Sequence, residues 1–199
     1  MTICYVLGDE LYINLTNRCT NRCSFCVRDT DCGISDSVDL WIDREPTAEE
    51  VIEDIQRFDP SKYREVVFCG YGEPMIRVDE LLAAAKFIKA HYNVPIRINT
   101  NGHANRIHGR DVTPELEGLV DTISISLNAK DREQYRKLCH CDFGAEGYDE
   151  MIEFTKKCRD VIPNVVLSVV DVIPQEDIEE CRKTAQQLGV AFRVRTMIK

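Results

Sequence analysis

The sequence predicts an α/β fold, a partial (β/α)6 TIM barrel of parallel strands, in a single domain covering residues 1–199. Three observations carry this expectation. Six short runs of β-branched and aliphatic residues alternate with amphipathic segments, the signature of repeated βα units. Each step from strand to strand takes about 25–55 residues, enough for a crossover helix and hence for parallel pairing. The strands also alternate polar and aliphatic residues, whereas parallel strands covered by helices on both faces are apolar throughout. A curved, incompletely closed barrel, with helices outside and a wet polar lumen inside, accounts for that alternation; a closed eight-stranded barrel fills its lumen with side chains. The alternative is a flat, doubly wound sheet with some of these polar residues at its edges.

The first strand, Leu11–Thr16, sets Tyr12, Asn14 and Thr16 against Leu11, Ile13 and Leu15. A helix starts after Pro46, with Thr47 as N-cap and Glu50 three residues on in a capping-box pattern, and runs to about Phe58. The second strand is Glu65–Cys69. Asp79–His91 follows as a helix with Leu81, Leu82, Ala85 and Ile88 on one face. In the third strand, Pro95–Thr100, Arg97 and Asn99, continued by Asn101, oppose Ile96 and Ile98. Thr113–Gly118 has room only for a short helix. The fourth strand, Asp121–Leu127, alternates strictly, with Ser124, Ser126 and then Asn128 against Ile123, Ile125 and Leu127. Helix Gly147–Asp160, strand Val165–Val172, helix Gln175–Leu188 with Gly189 in the C-terminal position, and strand Ala191–Met197 complete the series. The last strand places Arg193 and Arg195 opposite Phe192 and Val194; the two arginines either face the lumen, where they would meet a carboxylate or phosphate, or flank a sheet edge.

Composition narrows the function classes. The 199 residues are 44% hydrophobic and 30% charged with a net charge of -9, which fits a globular chain and offers no global attraction to nucleic acid or anionic lipid. No apolar run reaches membrane-span length and no basic leader precedes an apolar stretch, so a cytoplasmic protein is expected. Ten cysteines without a secretory signal suit metal or redox chemistry better than a disulfide framework.

Three of those cysteines fall within eight residues directly after the first strand, in Cys19-Thr20-Asn21-Arg22-Cys23-Ser24-Phe25-Cys26. A structural zinc site would want four ligands, with Cys32 the nearest candidate for the fourth. A [4Fe–4S] cube on three cysteines leaves one iron open to an exogenous ligand. After the second strand comes Cys69-Gly70-Tyr71-Gly72-Glu73-Pro74, where glycine lets the backbone approach a ligand with no Cβ in the way. Cys139-His140-Cys141 offers soft and borderline ligands, but adjacent residues chelate poorly without further partners.

The spacing of three and then two residues between the cysteines, with an aromatic before the last, resembles the signature of the radical S-adenosylmethionine superfamily. The resemblance implies a minimal radical SAM core with Cys19, Cys23 and Cys26 on the cluster and S-adenosylmethionine chelated to its open iron. It places Phe25 near the adenine. Gly70, Gly72 and Glu73 match the family's Gly-Gly-Glu-Pro turn, which holds the methionine amino group, with Tyr71 departing from the pattern. By location, Asn99, Asn101, Ser124, Ser126 and Asn128 match the strand-end residues that bind the methionine carboxylate and ribose. Val170 to Ile173 and Met197 match the region of the adenine contacts.

Within the superfamily the chain resembles the small proteins described as TatD-linked, through Tyr5-Val6-Leu7-Gly8-Asp9 and the run Leu11 to Asn17. Its size is similar to that of the glycyl-radical-enzyme activases and the carboxydeazaguanine synthases, whose magnesium-binding threonine is replaced here by Val27. Ending at the last strand, the chain is expected to carry no extension for auxiliary clusters. The implied function is reductive cleavage of S-adenosylmethionine, with the resulting radical acting on an unidentified substrate, most simply a small molecule. The alternatives are an activase or modifying enzyme for a protein or peptide, and a non-enzymatic iron–sulfur or zinc module. A one-electron donor such as flavodoxin or ferredoxin, and a homodimer covering an open barrel edge, are the expected partners.

Overall fold

The computed structural model describes residues 1–29 and 39–197; Cys32 lies outside them. Seven strands form one sheet in strictly sequential order. They are β1 (Cys4–Leu7), β2 (Glu10–Ile13), β3 (Glu65–Phe68), β4 (Ile96–Thr100), β5 (Thr122–Ser126), β6 (Asn164–Val170) and β7 (Ala191–Arg195). The helices are α1 (Ala48–Phe58), α2 (Val78–His91), α3 (Ala104–His108), α4 (Arg132–Cys139), α5 (Glu146–Val161) and α6 (Gln175–Leu188).

The pairs from β2 to β7 are all parallel, and the order never reverses. A doubly wound sheet needs a reversal of strand order, so the barrel reading holds and the flat alternative falls. The six expected strands correspond to β2–β7. The seventh, β1, is antiparallel to β2 across a two-residue turn, Gly8-Asp9, with Gly8 at φ +62° as a tight hairpin demands.

One face of the sheet is greasy and the other is polar. Leu11, Ile13, Val66, Phe68, Ile96, Ile98, Ile123 and Ile125 pack against α1, α2 and α5 in a single core. Each such aliphatic or aromatic side chain, fully buried, contributes roughly 1.5–3 kcal/mol. Tyr12, Arg97, Thr122, Ser124 and Arg193 line a cavity of about 490 Å³ on the opposite, concave face. Sequence alternation thus becomes a two-faced wall.

Local chemistry sets the helix boundaries. The Glu50 amide donates to Thr47 Oγ1 at 3.3 Å and the Thr47 amide to Glu50 Oε2 at 2.9 Å, closing the expected capping box on α1. Gly189 ends α6 at φ +69°. Two helices were not apparent from the sequence. α3 has five residues, and α4 is mostly charged, with Tyr135 and Cys139 its only buried side chains. Its N-cap, Asp131, accepts from the Gln134 amide. The last strand also ends earlier than expected, at Arg195; beyond it the Met197 amide donates to Asp171 Oδ1 at 2.7 Å.

Candidate functional site

The site assembles at the C-terminal ends of β2–β5 and β7. β2 leads into a loop that Asn14 anchors: its Nδ2 donates to Leu40 O at 2.7 Å and to Thr2 O at 3.3 Å. Residues 40–45 support the loop from outside. Asn17 donates to Ile42 O and accepts from the Ile42 amide, while Arg18 and Thr16 both reach Glu45.

The cysteine-bearing part is clamped from its other side by α4 and the residues after it. The Arg22 amide donates to Cys139 O at 2.8 Å, the Ser24 amide to Leu138 O at 2.9 Å, and the Asp142 amide to Thr20 O at 2.8 Å. This pairing brackets Cys23 and sets the Cys139 thiol against it. The hydrogen bond from Cys139 holds Cys23 below the usual thiol range, helped by Arg195 and Arg28 and opposed by burial. Burial, with Glu73 nearby, pushes Cys19 up to about 12, and burial also raises Cys26.

Inside the loop, Thr20 and Asn21 are held by a buried polar network. His103 is fully buried. Its Nε2 lies 3.0 Å from Gly147 O, which can only accept, so Nε2 carries the proton and Nδ1 accepts from the Thr20 hydroxyl at 3.0 Å. Asn21 Nδ2 donates to the Tyr135 hydroxyl at 3.1 Å. Asn101 Nδ2 donates to Thr20 Oγ1 at 2.8 Å and lies 3.8 Å from Cys19 Sγ. Burial lowers His103 to about 4, so the network is built on a neutral imidazole.

The glycine turn after β3 fits this loop closely. A Cβ on Gly72 would sit 2.3 Å from Thr16 O and 2.5 Å from Arg18 O, and one on Gly70 would sit 2.0 Å from Asn14 Oδ1. The backbone atoms facing Gly72 exclude any side chain there, and a side chain at Gly70 would have to displace Asn14. The Glu73 amide donates to Arg18 O at 2.8 Å, so the two loops form one unit. The Glu73 carboxylate turns inward, accepting from the Met75 amide, the Thr100 hydroxyl and the Asn101 amide at 3.0, 2.8 and 2.6 Å. Burial raises it to about 7 against the pull of those three donors. Glu73 therefore fastens the glycine turn to the end of β4.

The remaining residues singled out in the sequence sit as follows. Phe25 is half-buried in the cysteine loop. Asn99 faces the lumen with a buried Oδ1 that has no partner among the described residues. Ser124 is buried lower on the lumen wall. Ser126 Oγ and Asn128 Oδ1 both accept from Arg195 Nη2, at 3.3 and 3.4 Å. Val170 and Ile173 are buried beside β7. The Cys139-His140-Cys141 trio diverges: Cys139 faces Cys23, Cys141 packs against His103, and exposed His140 caps α4 at φ +44°.

Sequence reasoning passed over the Thr20–His103–Tyr135–Asn21 network. Its signal was faint, a lone histidine just after the Asn99-Thr100-Asn101-Gly102 run and a tyrosine in an otherwise polar helix.

The donor set suits a cluster. Three thiols share one loop, and Asn99 Oδ1 and Arg195 Nε are buried polar atoms without protein partners. Among the described residues no three Cys, His, Asp or Glu side chains converge on a single ion position.

The family model of the Radical SAM superfamily matches residues 13–188. No curated protein matches the sequence. Solved structures share the fold, among them the following three. SuiB of Streptococcus suis, bound to S-adenosylmethionine, superposes with a TM-score of 0.70 at 18% identity over 97% of this chain and 40% of its own. Methylornithine synthase gives 0.68 at 17% identity, over 95% and 53%. A radical SAM methyltransferase from Sphaerobacter thermophilus gives 0.65 at 17% identity, over 97% and 57%. The chain thus spans between two fifths and three fifths of these proteins. No helix among the described residues is long and apolar enough to cross a membrane. With the family model running from the last residue of β2 through α6, the chain belongs to the radical SAM superfamily, whose enzymes work with a [4Fe–4S] cluster and S-adenosylmethionine.

Proposed function

We propose that the chain holds a [4Fe–4S] cluster on Cys19, Cys23 and Cys26 and cleaves S-adenosylmethionine reductively, directing the resulting radical at a small molecule in the lumen. The observation that carries this reading is the interlock of the two loops, in which Gly72 meets Thr16 O and Arg18 O and the Glu73 amide is bonded to Arg18 O. When bound, the cluster supplies the electron, delivered by an external donor such as flavodoxin or ferredoxin, that splits S-adenosylmethionine into methionine and a 5′-deoxyadenosyl radical.

The chain's own residues hold, orient and shield. The glycine turn presents backbone to the methionine moiety, with Gly70 and Gly72 keeping Cβ atoms out of the way. Asn99 offers its unpartnered Oδ1 as an acceptor for a ribose hydroxyl, and Ser124, Ser126 and Asn128 offer further polar contacts for carboxylate and ribose. Phe25 stands in the cysteine loop where it can cover the adenine. His103, Asn101 and Tyr135 fix the loop so that three thiols stay in register without reorganisation.

The test is anaerobic reconstitution followed by electron paramagnetic resonance of the reduced protein. The reading expects about four irons per chain and a spectrum that changes when S-adenosylmethionine is added, because the ligand occupies the open iron. Cys23→Ala should bind no cluster. Zinc bound by the wild type in place of iron would sink the proposal.

A further inference from the structure

The lumen charges do not balance. Arg97 spans from Glu10, at 2.9 Å, to Glu65, at 3.2 Å, and Arg64 also pairs with Glu10 and with Asp9. These carboxylates neutralise the arginines at the base of the concave face. Two more guanidinium groups stand on β7, and neither has an acidic partner among the described residues. The Arg193 side chain lines the cavity of about 490 Å³ and makes no hydrogen bond or ion pair among the described residues. Among the described residues the Arg195 guanidinium hydrogen-bonds the neutral oxygens of Ser126 and Asn128, and its Nε is buried and unbonded.

Like charges two residues apart on one strand share a face, because side chains repeat every second residue. The neighbouring strand leaves that arrangement unrelieved: Arg193 stands opposite Ser168, and Arg195 opposite Val170. A buried guanidinium nitrogen without a partner, as at Arg195 Nε, is costly, and the exposed Arg193 adds a second charge of the same sign beside it. Burial and Arg193 both press on the Arg195 charge. Paired lumen arginines with open donors are complementary to a planar or tetrahedral oxyanion.

We infer that the molecule on which the radical acts is an organic anion, whose carboxylate or phosphate is held by Arg193 and Arg195 on the inner face of β7. This rests on the proposed radical chemistry and names its substrate class. Glu10, Arg64, Glu65 and Arg97, which line the same cavity, are engaged with one another and Tyr12 with Glu10, so the Thr122 and Ser124 hydroxyls are what the cavity wall adds for the rest of a polar molecule. Arg195 stands on the cluster side, bonded to Ser126 and Asn128 at the C-terminal end of β5, and Arg193 on the cavity side. An anion held between them would lie between the cleaved cofactor and the lumen floor. One other oxyanion could claim the same groups, the methionine carboxylate of S-adenosylmethionine.

Calorimetric titration separates the two sources. The protein used is the reconstituted holoenzyme, first shown to release 5′-deoxyadenosine on reduction, so that failure of the radical reading is detected before the anion is tested. Inorganic phosphate and succinate are titrated in turn into enzyme saturated with S-adenosylmethionine. One saturable site per chain is expected for at least one of them. Arg193→Gln should weaken it by about tenfold or more, as loss of a charged hydrogen-bond donor does, while Arg193→Lys retains most of the affinity. Affinity for S-adenosylmethionine itself should stay within about twofold in Arg193→Gln, since the methionine carboxylate would then be held elsewhere. The Arg193 side chain makes no hydrogen bond or ion pair among the described residues, and an unchanged urea midpoint verifies that the variant is folded. The inference is overturned if neither anion binds, if Arg193→Gln leaves anion binding intact, or if that variant loses S-adenosylmethionine instead.

Discussion

Replacing Gly72 by alanine puts one carbon where the loop carrying the cysteines already stands. The added Cβ would fall 2.3 Å from Thr16 O, 2.5 Å from Arg18 O and 2.8 Å from Thr16 C, all backbone atoms that no rotamer change can move. The two loops must part, and the 2.8 Å hydrogen bond from the Glu73 amide to Arg18 O goes with them. Overpacking of this kind costs about 1–3 kcal/mol and the lost hydrogen bond about 0.5–1.5 kcal/mol, so a destabilisation of about 2–4 kcal/mol is expected. With a urea m-value of about 1–3 kcal/mol/M, the unfolding midpoint followed by circular dichroism should fall by about 1–2 M. Iron retention after reconstitution should fall as well, because Arg18 is next to Cys19. A Gly72→Ala protein with an unchanged midpoint and full iron content would refute the claim that the two loops interlock.

Three further substitutions probe other parts of the account. His103 is neutral in the fold with its pKa lowered from 6.5 to about 4, so the unfolded chain takes up the proton first as the pH falls. Its contribution to stability should be full above pH 6.5 and decline toward pH 4, by up to about 3 kcal/mol, and the difference between wild type and His103→Gln across that window should show the slope; parallel curves would contradict it. Glu73→Gln places an amide donor among three donors, two of them backbone N–H groups. It should cost about 2–3 kcal/mol in urea unfolding, and a neutral result would mean that the carboxylate is not the fastener of the turn. Thr47→Ala removes the cap of α1, far from the cysteines, and should cost about 0.5–2 kcal/mol while leaving iron content unchanged.

Strands and cysteines were legible because their signals are local and redundant. Period-two alternation from Asp121 to Asn128 determines which face Ser124 and Ser126 occupy, and the helix caps at Thr47 and Gly189 fall where their side chains and φ angles require. Strand β1 was hidden by brevity: Cys4-Tyr5-Val6-Leu7 has no alternation, although Gly8-Asp9 is a hairpin turn. Helix α4 was hidden because its stability comes from one buried face of Tyr135 and Cys139 and from backbone pairing with Arg22 and Ser24, residues more than a hundred positions away. The role of His103 could not be read for the same reason, since its partners Thr20 and Gly147 come from distant segments. The arginines of β7 were legible in position but not in consequence. Their meaning depends on Glu10 and Glu65 being engaged with Arg97.

The measurement that bears most directly on the central claim is 5′-deoxyadenosine release by the reconstituted chain, given S-adenosylmethionine and dithionite under anaerobic conditions. The account predicts release well above a protein-free control by the wild type, and none by Cys19→Ala, Cys23→Ala or Cys26→Ala. Release at the control level from a wild-type chain carrying a full cluster, or undiminished release from any of the three cysteine variants, would contradict it.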